Sequence, residues 1–403
     1  MNYFIKNIHI NKLFHLENID IPIANEKYPH LIITGKNGSG KTVLLNAVAD
    51  WLERIRTNED VEFPVTKDSV LFGKRIGKMI EYSRLVNDTT FSYAGLDCEI
   101  SSIRYVIDRL KEKEFIIAFY QSLRANSELK LKEPKSPTKP KLNKKGGVKK
   151  TYTDEFLNFL SDLKIQEALA RNEKQFVDAD EINAWFVSFE SLLKQIYQDD
   201  KLKLEFNYKD YSFWICTEGK KFKFTQLSDG FAAALDIVAD LIMKMQDDNS
   251  LTRDYQKEGI VLIDEIETHL HLGLQKIVMP LLTKTFPNIQ FIVTTHSPFV
   301  LSSMPNAVAY DLEHREVLDD LTEYSYESLA EGYFGVKTQS SYAEMQLNTL
   351  KELLGKEVWT EADKVEIKQL KSDFEKIPET ISPLIVGEFR QIVIQNAEKL
   401  KNL

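Results

Sequence analysis

The chain is poor in cysteine: Cys98 and Cys216 are the only two in 403 residues. They stand far apart and in no metal-ligand spacing. That excludes a disulfide framework and a cysteine-built zinc site, and it points to a reducing, cytoplasmic setting. Long apolar runs are missing as well. Although 43% of the residues are hydrophobic, no run reaches the ~20 residues that a bilayer span requires, so no membrane role is expected. The opening residues, Met1-Asn2-Tyr3-Phe4-Ile5-Lys6, lack the charged start and apolar stretch of a secretory signal. Positive charge is in deficit too. A formal net charge of −9 excludes a surface built throughout for nucleic acid and leaves room only for a local basic groove. No internal repeat is present. The length predicts two or three domains, or one core with a large insertion.

Along the chain, Tyr3–Ile10 and Asn18–Ile23 read as short strands of a hairpin or meander. Leu31–Thr34 reads as a buried strand that runs into a glycine-rich loop. Thr42–Ile55 has helical spacing, with Leu44, Leu45, Val48, Trp51, Leu52 and Ile55 near one face. The stretch Arg56–Thr90 is poorly patterned and predicts loop with some helix. Phe115–Tyr120 reads as a core strand. Composition then shifts: Lys130–Lys150 holds nine lysines, three prolines and the pair Gly146-Gly147, too little apolar surface to offset the entropy of ordering. Asp154–Ala170 and Asp180–Gln198 predict an inserted helical hairpin. Lys203–Tyr208, Ser212–Thr217 and Lys221–Phe224 predict strands, followed by a helix over Phe231–Met243. After about Tyr310 the chain is mostly helical and polar. An apolar patch at Leu384–Ile394, with Tyr333–Gly335, is expected to dock on the core or on a partner.

One motif carries the chemistry. Gly35-Lys36-Asn37-Gly38-Ser39-Gly40-Lys41-Thr42 matches the P-loop pattern in full and sits between a strand and a helix, where phosphate binding needs it. Glycines let backbone N–H groups approach phosphate, and the helix N-terminus adds partial positive charge. Lys41 is placed to reach the β- and γ-phosphates of ATP, and Thr42 to ligate Mg²⁺. Downstream, Ile260–Ile263 is an apolar strand ending in Asp264-Glu265. Strands apolar on both faces are central and parallel, and ligands bind at their carboxyl ends. Asp264 suits Mg²⁺, and Glu265 suits a general base for the attacking water. Phe291–Thr295 is a second such strand, ending in His296, which can bond the γ-phosphate and the attacking water. Gln226-Leu227-Ser228-Asp229-Gly230 opens a helix. Ser228 suits an N-cap, and a helix start carrying Ser and Gly is also an anion site.

In this order the motifs resemble ABC-type ATPase heads of the RecF/SMC and OLD-like AAA group, over roughly Met1–Tyr310 apart from the insertion. In style they are similar to anti-phage defence ATPases of the Septu, PARIS and retron kinds. The resemblance implies an α/β fold: a P-loop head with a mixed central sheet, an inserted helical hairpin and a helical C-terminal region. The corresponding divisions are 1–124, 125–200, 201–311 and 312–403. It further implies ATP and Mg²⁺ as cofactors, hydrolysis of ATP, and a homodimer closed around two ATP molecules. Leu227–Gly230 would be the signature, with Ser228 touching ATP held by Lys41 of the opposite protomer. Gln121 would be the Q-loop residue linking Mg²⁺ to the helical lobe, with Arg124 an alternative phosphate contact nearby. Ile266–His271 would be the D-loop, with Glu267 and His269 at a subunit contact rather than at a second metal.

Two departures bear on function. No Asp-x-Asp pair with a preceding Glu-Gly element follows the histidine motif, so the chain itself is not expected to be a nuclease. The helical insertion is also too short for a chromosome-tethering coiled coil. The first functional reading is therefore a regulatory ATPase of anti-phage defence, acting on a separate effector such as a nuclease or toxin. The alternative is a repair or recombination ATPase that clamps duplex DNA. There the eight net positive charges of Lys130–Lys150 (nine lysines less Glu133) would meet phosphates with steep salt dependence. A transporter subunit fits less well, because about a hundred residues separate Gln121 from Ser228.

Overall fold

Three sheets and their helices follow from the strand patterns. In this computed structural model, residues 4–23, 29–57, 70–76, 79–85, 89–93, 95–122, 147–246, 255–318, 321–335, 341–378 and 382–401 are described. Lys130–Gly146, Arg124 and residues 58–69 lie outside them. The chain divides into two compact units, Met1–Glu323 and Tyr324–Leu403.

The first unit opens with β1 (Ile5–Leu13) and β2 (Leu16–Pro22), an antiparallel pair whose isoleucines alternate inward. Next come β3 (His30–Thr34) and helix α1 (Lys41–Thr57). The stretch expected to be loop and helix instead contains two antiparallel strands, β4 (Val70–Ile76) and β5 (Met79–Leu85). They are followed by β6 (Thr90–Tyr93), β7 (Leu96–Ile100), helix α2 (Ile103–Lys111) and β8 (Phe115–Tyr120). The inserted hairpin is α3 (Phe156–Asn172) and α4 (Phe176–Tyr197), the second helix starting four residues before the expected Asp180. It encloses an aromatic cluster in which Trp185 stacks on Phe189 at 5.3 Å and meets Phe159 edge-on. A three-stranded antiparallel sheet follows: β9 (Lys203–Asn207), β10 (Ser212–Thr217) and β11 (Lys220–Lys223). The chain continues through α5 (Asp229–Met245), β12 (Glu258–Ile263), α6 (Leu272–Thr285), β13 (Ile289–Thr294), α7 (Pro298–Leu301), β14 (Ala307–Asp311) and β15 (Glu316–Leu318).

The first sheet is antiparallel, in the order β2-β1-β7-β6-β5-β4. The central sheet has the order β15-β14-β3-β13-β12-β8 and is parallel except for β15, so it is mixed as expected. β3, β8 and β13 are buried at every residue. Continuous apolar runs are what a parallel strand covered on both faces requires. This order sets the carboxyl ends of β3, β13, β12 and β8 side by side, and ligands bind at such an edge in open α/β sheets. No helix among the described residues is long and apolar enough to cross a membrane.

One buried histidine makes the core acid-sensitive. His30, the first residue of β3, is 5% exposed, and its Nδ1 accepts the N–H of Phe291 at 3.2 Å. Burial pushes its pKa from 6.5 down to about 4. Below pH 6.5 the unfolded chain therefore takes up a proton that the folded chain refuses. The stability present above pH 6.5 is lost as pH falls toward 4, by up to roughly 3 kcal/mol. His30→Gln keeps an acceptor for Phe291 and does not titrate. Its melting temperature is expected to fall less than that of the wild type between pH 7 and pH 4.5, read by circular dichroism.

The second unit is helical, built from Ser341–Gly355, Glu361–Glu375 and Pro383–Gln395. Leu347, Leu350, Leu354, Ile367 and Phe374 form its core together with Ile385, Phe389 and Ile392. The patch at Leu384–Ile394, expected to dock elsewhere, thus places Ile385, Phe389 and Ile392 inside its own unit. Leu384 and Ile394 remain 64% and 74% exposed.

Candidate functional site

The loop from β3 to α1 wraps tightly because Gly35, Gly38 and Gly40 all take positive φ. At Gly40 φ is +102°, and a Cβ there would lie 3.0 Å from Leu16 and 3.2 Å from His15. Both conformation and space therefore demand glycine. The β1–β2 turn closes over this loop, with His15 Nε2 3.2 Å from the carbonyl of Ser39. Lys41 is buried at 5% exposure. Its ammonium donates to the carbonyls of Gly35 (2.8 Å) and Lys36 (3.0 Å) and to Ser39 Oγ (3.4 Å). Burial lowers the pKa of Lys41. The carboxylates of Glu265, Glu267, Asp264 and Asp311 act in the opposite direction, so four acids face this one cation.

The acids at the end of β12 meet the P-loop directly. Thr42 Oγ1 donates to Asp264 Oδ1 at 3.2 Å. Thr294, the last residue of β13, is wholly buried and orients both acids at once. Its hydroxyl donates to Asp264 Oδ1 at 2.7 Å and accepts the N–H of Glu265 at 2.7 Å. Glu265 itself takes a left-handed backbone conformation, φ +46°, which is uncommon for a non-glycine residue. Thr268 Oγ1 donates to Glu265 Oε2 at 3.3 Å. Thr42 and Asp264 together offer a hydroxyl and a carboxylate, hard oxygen donors side by side. That donor set fits Mg²⁺, which takes one or two protein ligands beside phosphate oxygens and water. Among the described residues no group of three or more His, Cys, Asp or Glu is arranged to hold a metal ion.

His296 follows β13. Its pKa lies below the usual value because burial lowers it and Lys41 lowers it further, while Glu267, Glu265 and Asp264 pull it up. The ring is therefore neutral at neutral pH and faces the same group of charges. Glu267, expected at a subunit contact, is used inside the fold. It accepts from Thr295 Oγ1 at 2.7 Å and from the N–H of His296 at 2.6 Å, fixing the histidine's backbone. His269 is exposed with φ +69°. His271 caps α6 by accepting the N–H of Leu274.

Ser228 is the N-cap residue of α5, but its side chain makes no capping hydrogen bond. It lines a cavity of about 310 Å³ together with Tyr197, Lys220, Gln226 and Phe231. Gly230 abuts the segment after Glu265. A Cβ there would lie 2.7 Å from the carbonyl oxygen of His269, so only glycine permits the approach. Gln121 follows β8, and its Nε2 donates to Asn46 Oδ1 at 3.2 Å, while Asn46 Nδ2 donates to the carbonyl of Thr42 at 2.7 Å. Lys41, Thr42, Asp264, Glu265 and His296 thus stand together, with Gln121 joined to them through Asn46. Sequence reasoning missed Asn46, Glu267 as a brace, and Thr294 as the residue that orients both acids. For the last, the sequence offered only a threonine ending a buried apolar strand.

Residues 187–302 match the family described as "AAA domain, putative AbiEii toxin, Type IV TA system". The match takes in Ser228, Asp264, Glu265 and His296 and stops short of the P-loop. A Septu protein PtuA of Bacillus mycoides is 26% identical over 329 residues, covering 78% of this chain and 41% of that protein. The chain is similar to the ABC-type ATPase heads of anti-phage defence systems. A "Retron Vc95 probable ATPase" of Vibrio cholerae is 24% identical over 350 residues, with 68% of this chain and 66% of that protein covered. The chain thus spans less than half of the first relative and about two thirds of the second. Among solved structures, an Smc head bound to the C-winged helix domain of ScpA covers 79% of this chain and 96% of that chain, at 16% identity and a TM-score of 0.40.

Proposed function

We propose that this ATPase head binds and hydrolyses Mg²⁺·ATP, dimerises around it, and thereby regulates or positions a separate effector protein in anti-phage defence. The observation that carries the reading is the contact between Thr42 Oγ1 and Asp264 Oδ1 at 3.2 Å. It joins the P-loop helix to the carboxylate pair across the carboxyl edge of the sheet. Mg²⁺, held there by Thr42, Asp264 and the Gln121 carbonyl, would neutralise charge on the phosphates.

The backbone N–H groups of Gly35, Asn37, Gly38, Ser39 and Gly40 cradle the phosphates, and Lys41 reaches past them. Glu265 takes a proton from the attacking water. His296, neutral and braced by Glu267, positions that water and the γ-phosphate. Ser228 and Gly230, at the start of α5, present N–H groups and a hydroxyl to ATP held by a second copy of the chain. The relatives' names, Septu protein and retron ATPase, support the defence setting.

The test is equilibrium binding of Mg²⁺·ATP to the wild type and to Lys41→Ala. Truncating one member of a buried charge pair costs at least about 2 kcal/mol, so the variant is expected to bind at least ~30-fold more weakly. Equal affinities, or no binding by the wild type, would overturn the nucleotide reading.

A further inference from the structure

The lysine-rich stretch ends beside the nucleotide site. Residues 147–150 form a turn, with Lys150 N–H donating to the carbonyl of Gly147 at 3.0 Å. This turn is fastened to two elements of the site. The carbonyl of Val148 accepts the N–H of Phe119 on β8 at 3.0 Å. The N–H of Val148 donates to Glu53 Oε2 on α1 at 2.9 Å. Val148 is 6% exposed, and Glu53 is itself held by Arg56. Just beyond, Tyr152 N–H donates to Asp240 Oδ1 on α5 at 2.5 Å. The other oxygen of Asp240 accepts the hydroxyl of Tyr120 at 2.6 Å. The turn is therefore set between β8, which Gln121 follows, α1, which carries Thr42, and α5, whose N-cap residue is Ser228.

From this turn Lys149 reaches back. Its stem crosses Phe119, with Nζ 5.4 Å from the ring centre. Its ammonium donates to Asn46 Oδ1 at 3.3 Å. Among the described residues it meets no carboxylate; the partner is a neutral amide. Asn46 Oδ1 thus receives two donors, Lys149 and Gln121, while its Nδ2 is turned to the carbonyl of Thr42. The Thr42 carbonyl can only accept, so it holds the Nδ2 end of the Asn46 amide. The Lys149 ammonium can only donate, so it holds the Oδ1 end and locks the same orientation from the other side. With Asn46 Oδ1 fixed, Gln121 must approach it through Nε2, and the Gln121 carbonyl oxygen becomes the opposite end. Oxygen is the end a hard cation takes.

We propose that Lys149 is a positioning residue of the nucleotide site: together with the Thr42 carbonyl it holds the Asn46 amide, anchoring its oxygen end, and through that oxygen presents the Gln121 carbonyl toward Mg²⁺. The role rests on the Mg²⁺·ATP reading above. It makes the end of the lysine-rich stretch part of the nucleotide machinery.

The experiment is equilibrium binding of a non-hydrolysable ATP analogue to the full chain, once with saturating Mg²⁺ and once in EDTA. Wild type is compared with Lys149→Met, Lys149→Arg and Lys41→Ala. Methionine keeps the stem over Phe119 and removes the charge. Loss of an outer partner of a metal ligand costs about tenfold or more in metal affinity. Lys149→Met is therefore expected to weaken Mg²⁺-dependent binding ~10-fold, leave binding in EDTA unchanged, and be rescued by Lys149→Arg. Wild-type affinity in Lys149→Met, an equal loss in EDTA, or a Lys149→Arg as weak as Lys149→Met would overturn the role. If the wild type does not bind, or Lys41→Ala binds as well as it does, the Mg²⁺·ATP reading itself fails and the role falls with it.

Discussion

Glu265→Gln is expected to slow ATP hydrolysis by ~10²–10⁴-fold, the scale of losing a general base, while ATP still binds within about threefold of the wild type. The split follows from the geometry. Glu265 contributes its N–H to Thr294 through the backbone, and glutamine makes the same bond. Thr268 donates to Oε2, and an amide oxygen accepts equally well. Asp264 keeps its contacts to Thr42 and Thr294, so the proposed Mg²⁺ site is untouched. Only the capacity to take a proton from water disappears. Phosphate release gives the rate, and filter binding gives the affinity. The same variant tests the proposed assembly, since in an ATP-clamped dimer a head that cannot hydrolyse would stay closed. Its mass in solution, by light scattering, is expected to double when Mg²⁺·ATP is added. A mass indifferent to ATP would leave a lone head or a constitutive assembly and would remove the nucleotide-clamped dimer. A rate within tenfold of wild type would show that another group activates the water.

The parts of the site that sequence made legible are those compressed into contiguous residues. The P-loop announces itself in eight residues between a strand and a helix. β12 and β13 announce themselves because a parallel strand covered on both faces must be apolar throughout, and each then ends abruptly in polar residues. Strands β4 and β5 carry no such signal. Val70–Ile76 is interrupted by Gly73 and closes with Lys74-Arg75-Ile76, while Met79–Leu85 mixes Glu81, Ser83 and Arg84 among its apolar residues, so neither gives a clean period of two. Helix α4 begins earlier than its pattern predicts because Phe176 and Val177, its first residues, are 57% and 73% exposed and break the expected apolar face.

Other features depend on distance in space rather than in sequence. Asn46 and Lys149 are 103 residues apart, Glu267 and Thr295 28, and Asp264 and Thr294 30. Each contact exists only because the order β3-β13-β12-β8 brings four strand ends together. No local pattern encodes that order. Glu267 shows the consequence most clearly. The resemblance to ABC-type heads implies a subunit contact for it. In the fold its two carboxylate oxygens accept from Thr295 Oγ1 and His296 N–H. A carboxylate so engaged stiffens the loop that carries His296.

Ser228→Arg is expected to leave ATP binding intact and to lower turnover by ~10²-fold or more, the cost of losing an anion-binding donor set in a catalytic site. Ser228 is suited to this test because its side chain makes no capping bond, so α5 does not depend on the hydroxyl. Its wall of the cavity beside Tyr197 and Lys220 leaves space around a longer side chain within one protomer. An arginine there should obstruct a second copy rather than unfold its own. Loss of turnover alone does not separate action on the protomer's own ATP from action on a neighbour's. Mixing does. Lys41→Ala holds ATP only weakly but offers a normal Ser228, and Ser228→Arg holds ATP but offers none. If Ser228 acts across the interface of a two-fold dimer, each mixed dimer contains one complete site, formed by Lys41 of the second variant and Ser228 of the first. Two inactive preparations combined in equal amounts should then recover roughly a quarter of wild-type turnover. If Ser228 acts on ATP in its own protomer, no mixed dimer holds a complete site and the mixture stays as inactive as its parts.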